Sequence, residues 1–90
     1  LESAGLSDYR ILRLIQEDEE NNTDLYHTLK MYLLNGNNVT AAAENLHIHR
    51  NTLVYRLKQI KECMEIDIND NGTARELLSF MMMYDIAKET

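Results

Sequence analysis

The chain has no proline, only three glycines and a single cysteine in 90 residues. A turn-rich β fold needs those first two residue types at its corners, so their scarcity favours helices. The lone Cys63 excludes an internal disulfide and fits an intracellular, cytoplasmic protein. No apolar run reaches the roughly 20 residues of a membrane-spanning helix, and no signal-peptide pattern is present, so no membrane contact is expected. Nucleophile motifs, phosphate-binding glycine loops and convergent carboxylate pairs are also missing. Neither enzymatic activity nor a cofactor is expected. What remains is 44% hydrophobic and 27% charged, the composition of one small globular domain. Because the chain opens on Leu1 rather than Met, it reads as a piece of a longer protein.

The net charge is −6, which opposes indiscriminate binding to polyanions. Its distribution is uneven. Residues 1–38 carry seven acids and three bases, residues 39–62 two acids and four bases, and residues 63–90 six acids and two bases. One basic segment, NNVTAAAENLHIHRNTLVYRLKQIKE with its flanking asparagines, therefore lies between two acidic ones.

Helical periodicity divides the chain into about five helices, an all-α fold. The first is expected from Asp8 to Gln16, with Ser7 as N-cap and Tyr9, Ile11, Leu12 and Ile15 as its apolar face. Glu17 to Asn22 then reads as a solvated polar linker. Thr23 is expected to cap a second helix, Asp24 to Leu34, whose stripe is Leu25, Leu29, Tyr32 and Leu33. Gly36 suits the left-handed position that ends it. Residues 1–22 are expected to form a leading helix and linker, and 23–90 the domain proper.

The basic segment begins with a short helix from Val39 to Asn45, presenting Val39, Ala42, Ala43 and Leu46 to the core. A tight turn at Leu46–Ile48 leads into a longer helix, His49 to Met64, with Leu53, Leu57, Ile60 and Met64 buried. Short helix, tight turn and basic helix make a helix-turn-helix unit. Ala41, Ala42 and Ala43 let its two helices cross closely. At about 100° per residue, Asn51, Tyr55 and Lys58 point away from the core. Arg50, Val54 and Lys61 flank one side; Thr52, Arg56 and Gln59 flank the other. Such a face can read DNA: arginine pairs with guanine, asparagine with adenine, and hydroxyls bond bases or phosphates. The expected contacts to double-stranded DNA are His49, Arg50, Asn51, Thr52, Tyr55, Arg56 and Lys58. His49 either caps the helix or meets a phosphate.

The run Leu25, Thr28–Leu29, Tyr32–Leu33, Gly36–Asn37–Asn38, Ala42–Ala43, Leu46 to Leu53, Tyr55–Arg56–Leu57 and Ile60 resembles the C-terminal helix-turn-helix of PucR/CdaR-type bacterial transcriptional regulators. The likeness covers about residues 24 to 83 and is densest over 36–60. It is similar, at a lower level, to the Fis-type helix-turn-helix. The resemblance implies sequence-specific DNA binding, contacts from Arg50 and Thr52, and an upstream ligand-sensing domain. Glu65 stands where the family often has glycine, and Asn71 stands where an aspartate-proline often starts the last helix.

His47 and His49 form an H-x-H pair near His27, but without a carboxylate or cysteine at ligand spacing no metal is expected. His47 instead suits a left-handed turn position. Glu65 to Asp70 reads as an extended connector with Ile66 and Ile68 inward. The last helix, from Asp70–Thr73 to about Lys88, carries Leu77, Leu78, Phe80, Met81, Met82, Met83, Tyr84 and Ile86. More than one face is apolar, so it serves either the core or an oligomer face. A homodimer through Phe80, Met81, Met83 and Tyr84 fits that pattern. The rival functional class is accordingly a helical protein–protein interaction module working through this helix.

Overall fold

The computed structural model describes residues 9–89. Among them are five helices and no strand: α1 (Tyr9–Asn21), α2 (Leu25–Leu34), α3 (Val39–Leu46), α4 (Arg50–Met64) and α5 (Asn71–Glu89). The all-α expectation holds. No helix is long and apolar enough to cross a membrane. The expected Ser7 cap and Asp8 start lie outside the described residues.

α1 runs five residues further than its apolar pattern suggested. The acidic stretch EDEE is helical, not linker. Its residues are good helix formers, and side chains bond one turn apart: Gln16 Nε2 donates to Glu20 at 3.0 Å and Asn21 Nδ2 to Glu17 at 2.7 Å. Asn22 then turns left-handed at φ 54° and stops the helix. The buried face is also rotated from expectation. Ile11 and Leu14 are fully buried and Ile15 half-buried, whereas Tyr9 is 71% and Leu12 42% exposed.

α2 takes its cap from another helix. Asp24 occupies the N-cap position without a side-chain bond, and Thr23 does not cap. The carboxylate of Asp18 on α1 accepts the N–H groups of Leu25 (2.7 Å) and Tyr26 (2.9 Å), and the Thr23 hydroxyl at 2.6 Å. A negative group at a helix start satisfies open donors and complements the macrodipole. α2 then buries Leu25, Leu29, Tyr32 and Leu33, the expected stripe. Thr28 is buried too, its hydroxyl donating to the Asp24 carbonyl at 2.7 Å.

One core joins all five helices. Ile11 and Leu14 of α1 meet Leu25 and Leu29 of α2, Ala42 and Ala43 of α3, Leu53, Leu57 and Ile60 of α4, and Leu77, Phe80 and Met81 of α5. Each fully buried Leu or Ile side chain contributes roughly 1.5–3 kcal/mol. Leu53, in the first turn of α4 and fully buried, holds the start of that helix on the core, and its truncation would loosen it there.

The segment 65–70 is a pair of turns, not an extended connector. Glu65 is left-handed at φ 57°. Asp67 then bonds its own backbone two residues on, accepting the Asn69 N–H at 2.9 Å, which bends the chain. Ile68 is buried and Ile66 half-buried, as expected. Asp70 starts α5 by accepting the Thr73 N–H at 3.0 Å and its hydroxyl at 3.1 Å. Those bonds hold its carboxyl below the usual range.

The oligomer face expected on α5 needs correction. Phe80 and Met81 are 4% and 0% exposed and belong to this chain's own core, so neither can meet a partner. Tyr84 is half-buried, edge-on to Tyr26 at 5.8 Å. Of the four residues named, only Met83 is exposed.

Candidate nucleic-acid interface

The α3–α4 unit is built from its caps inward. Asn38 Oδ1 accepts the Ala41 N–H at 2.9 Å and starts α3. Ala42 and Ala43 are buried at the crossing with α4, where a larger side chain would force the helices apart. α3 ends at His47, left-handed at φ 59°, whose N–H donates to the Glu44 carbonyl at 3.1 Å while Ile48 N–H donates to Ala43 at 3.0 Å. This is the turn geometry expected of His47. His49 is extended and caps α4, its Nδ1 accepting the Asn51 N–H at 3.1 Å. A neutral ring is needed for that bond. The left-handed residue plus the β-region cap set the angle between the two helices.

Five asparagine and tyrosine side chains brace this unit, and the sequence reading did not single out their roles. Gly36 and Asn37 are left-handed in succession, at φ 65° and 60°. Asn37 Nδ2 donates to the Ile68 carbonyl at 3.1 Å, tying the turn before α3 to the connector after α4. Tyr32 Oη donates to Asn69 Oδ1 at 2.7 Å alongside it. Asn45 Nδ2 donates to Asn35 Oδ1 at 2.7 Å, linking α3 to the end of α2. The Gly-Asn-Asn run was the available signal, since asparagine tolerates left-handed backbone and bonds locally.

α4 buries Leu53, Leu57, Ile60 and Met64, the stripe expected. The opposite face is open. Arg50, Asn51, Thr52, Tyr55 (64% exposed) and Lys58 face solvent, with Val54 and Lys61 beside them. Arg56 and Gln59 are half-buried, so the Arg56 stem packs along the core edge. His49 is exposed but its Nδ1 is used in capping. The seven expected contact residues thus lie on or beside one face of α4. Among the described residues, Arg50, Arg56, Lys58 and Lys61 form no ion pair with a carboxylate of this chain, whereas Arg10, Arg13 and Lys30 do. Positive charge left unmatched on one exposed helix face suits a polyanion. No group of three metal-ligating side chains occurs among the described residues.

The family described as the PucR C-terminal helix-turn-helix domain matches residues 25–82, from the start of α2 into α5. The chain belongs to that family. The PucR domain is a helix-turn-helix module of transcriptional regulators, not an enzyme. Among its relatives is the proline-responsive transcriptional activator PutR of Bacillus subtilis (strain 168), 50% identical over 68 residues, or 74% of this chain and 16% of PutR. The DNA-binding transcriptional activator AdeR of the same organism is 37% identical over 67 residues, covering 74% of this chain and 16% of AdeR. Its purine catabolism regulatory protein is 32% identical over 66 residues, 73% of this chain and 12% of that protein. The PucR domain described here therefore spans less than a fifth of these three relatives. No solved structure matches it.

Proposed function

We propose that this domain binds double-stranded DNA sequence-specifically, with the N-terminal two-thirds of α4 in the major groove, as the C-terminal module of a longer transcriptional regulator. The carrying observation is the exposed face of Arg50, Asn51, Tyr55 and Lys58 set opposite a fully buried stripe, with its cations unpaired within the described chain. Arg50 and Asn51 have the chemistry to read base edges. Tyr55 adds a hydroxyl at the same depth. Thr52, Arg56, Lys58 and His49, through its ring edge away from the cap, serve the phosphates and fix register. Relatives named as transcriptional activators support the same role. In this reading the segment 1–22 leads from an upstream ligand-sensing domain. The acidic remainder of the chain weakens non-specific attachment and leaves affinity to the contact face.

The test is selection from a random duplex library with the purified domain, followed by affinity for the winner and a scrambled duplex at two salt concentrations. An enriched motif with an affinity gap that survives moderate salt supports base readout. An Arg50→Ala/Tyr55→Ala variant should lose that gap while keeping its helical circular dichroism. Full retention of the gap by the double variant overturns the contact assignment. Absence of any enrichment overturns specific binding by this domain on its own.

A further inference from the structure

α4 carries one exposed aliphatic side chain, Val54, 45% open to solvent. Leu53 before it and Leu57 after it are buried, but Val54 takes no part in that core. At about 100° and 1.5 Å per residue, Arg50 and Lys58 lie about 40° to either side of Val54 around the helix. Each is about 6 Å from it along the axis, Arg50 before and Lys58 after. Both are exposed and, among the described residues, unpaired with any carboxylate. A branched apolar side chain thus stands between two free cations on the face assigned to DNA.

Valine has neither donor nor acceptor, so Val54 serves no phosphate. Set against a polar base edge, it would displace water without replacing the hydrogen bonds. A base edge in the major groove has one apolar feature, the 5-methyl group of thymine. The cations on both sides fit a polyanion and not an apolar protein surface, which would bury them unpaired. β-Branching leaves valine one strongly preferred χ1 in a helix, so its two methyl groups are already aimed before contact.

We propose that Val54 packs against the 5-methyl group of a thymine and adds a base preference beside the pair read by Arg50. In this assignment, which rests on the DNA-binding reading of α4, the spacing also sets the place. About 6 Å along the helix is no more than about two base-pair steps of about 3.4 Å. The thymine therefore lies within about two base pairs of the one whose preference relaxes in Arg50→Ala.

The test replaces the thymines of the library-selected duplex, one at a time, by deoxyuridine. That base keeps the pairing and the polar edge and lacks only the methyl group. Affinities are measured for the parent domain and for Val54→Ala. At one thymine, deoxyuridine should weaken the parent about fourfold, the value of one buried methyl group. The same replacement should leave the affinity of Val54→Ala unchanged. Val54→Ala should bind the thymine duplex more weakly than the parent does, and the deoxyuridine duplex equally. Val54 is exposed and alanine is the better helix former, so the variant should keep its helical circular dichroism and its urea midpoint. Equal deoxyuridine penalties in parent and variant overturn the contact. So does a selected duplex with no methyl-sensitive thymine within about two base pairs of the Arg50-dependent pair. Absence of any selected duplex overturns the DNA-binding reading itself, and this contact with it.

Discussion

Asp18 on α1 holds the first amide of α2: its Oδ1 lies 2.7 Å from the Leu25 nitrogen. One carboxylate thereby satisfies two backbone donors and the Thr23 hydroxyl across a helix–helix corner. Its removal leaves those donors to water and frees the corner. Asp18→Ala should destabilise the domain by about 1–2 kcal/mol, the usual range for a lost N-cap. Urea unfolding followed at 222 nm measures it. Asp24→Ala should change stability by only a few tenths of a kcal/mol, because Asp24 sits at the cap position without a side-chain bond. Equal effects at the two positions would refute the assignment.

Glu65 closes α4 in the left-handed region at φ 57°, a conformation that suits glycine. Its ion pair with Arg13, at 3.6 Å between exposed side chains, returns little. Glu65→Gly should therefore stabilise the domain by about 0.5–1 kcal/mol. The gain is the relief of left-handed strain minus the extra freedom of the unfolded chain. The midpoint of urea unfolding should rise with its slope unchanged.

These two sites show what a sequence window carries and what it does not. The buried stripe of α4 was legible because Leu53, Leu57, Ile60 and Met64 repeat at helical spacing, and its exposed face followed by geometry. His47 was legible as a left-handed residue because the turn between two close helices needs one. The helicity of residues 17–21 was not, since an acidic run has no apolar period to reveal it. Asp18 caps a different helix, and a bond between elements has no signature in either one alone. α1 was misread by one step because Ile11, Leu12, Leu14 and Ile15 allow two overlapping faces, and only the position of α2 and α4 selects Ile11 and Leu14. In α5 the two apolar sides were visible together. Which side faces inward depends on α2, where Tyr26 and Lys30 wait for Asp85.

That last contact gives a pH dependence. Asp85 on α5 is ion-paired with Lys30 on α2 and accepts the Tyr26 hydroxyl at 2.8 Å. Burial pushes the Asp85 carboxyl up, but the hydrogen bonds from Lys30 and Tyr26 outweigh it and hold the group below its ordinary value of 3.8. A depressed carboxylate stabilises the fold at pH values above its unfolded value, and that contribution is lost as pH falls through the folded value. Asp85→Asn should therefore be less stable than the parent at pH 7, with the gap narrowing below about pH 4. At the alkaline end the sign reverses. Burial and the Asp85 carboxylate raise the Tyr26 phenol above 10.0, so folding keeps a proton that the unfolded chain releases. Stability should fall as pH climbs past about 10, less so in Tyr26→Phe. Denaturation midpoints across that range check both arms.

Arg50 and Lys58 should separate base reading from phosphate holding. Both are exposed on the α4 face, two helical turns apart, and neither is neutralised by a carboxylate within the described chain. Arg50 lies in the first turn, where a recognition helix enters the groove, and its planar fork can bond a guanine edge in two places. Arg50→Ala should weaken binding to the selected duplex by about 1–3 kcal/mol and relax the preference at one base pair. Lys58 is a point charge further along the helix, and the proposed docking gives it to the DNA backbone. Lys58→Ala should weaken all duplexes alike and reduce the slope of log affinity against log salt by about 1. Binding titrations of parent and both variants, each on selected and scrambled duplexes over a salt series, distinguish the two. If Lys58→Ala altered the base preference and Arg50→Ala only the salt slope, the order of the two residues along the groove would be reversed, and with it the direction in which α4 enters.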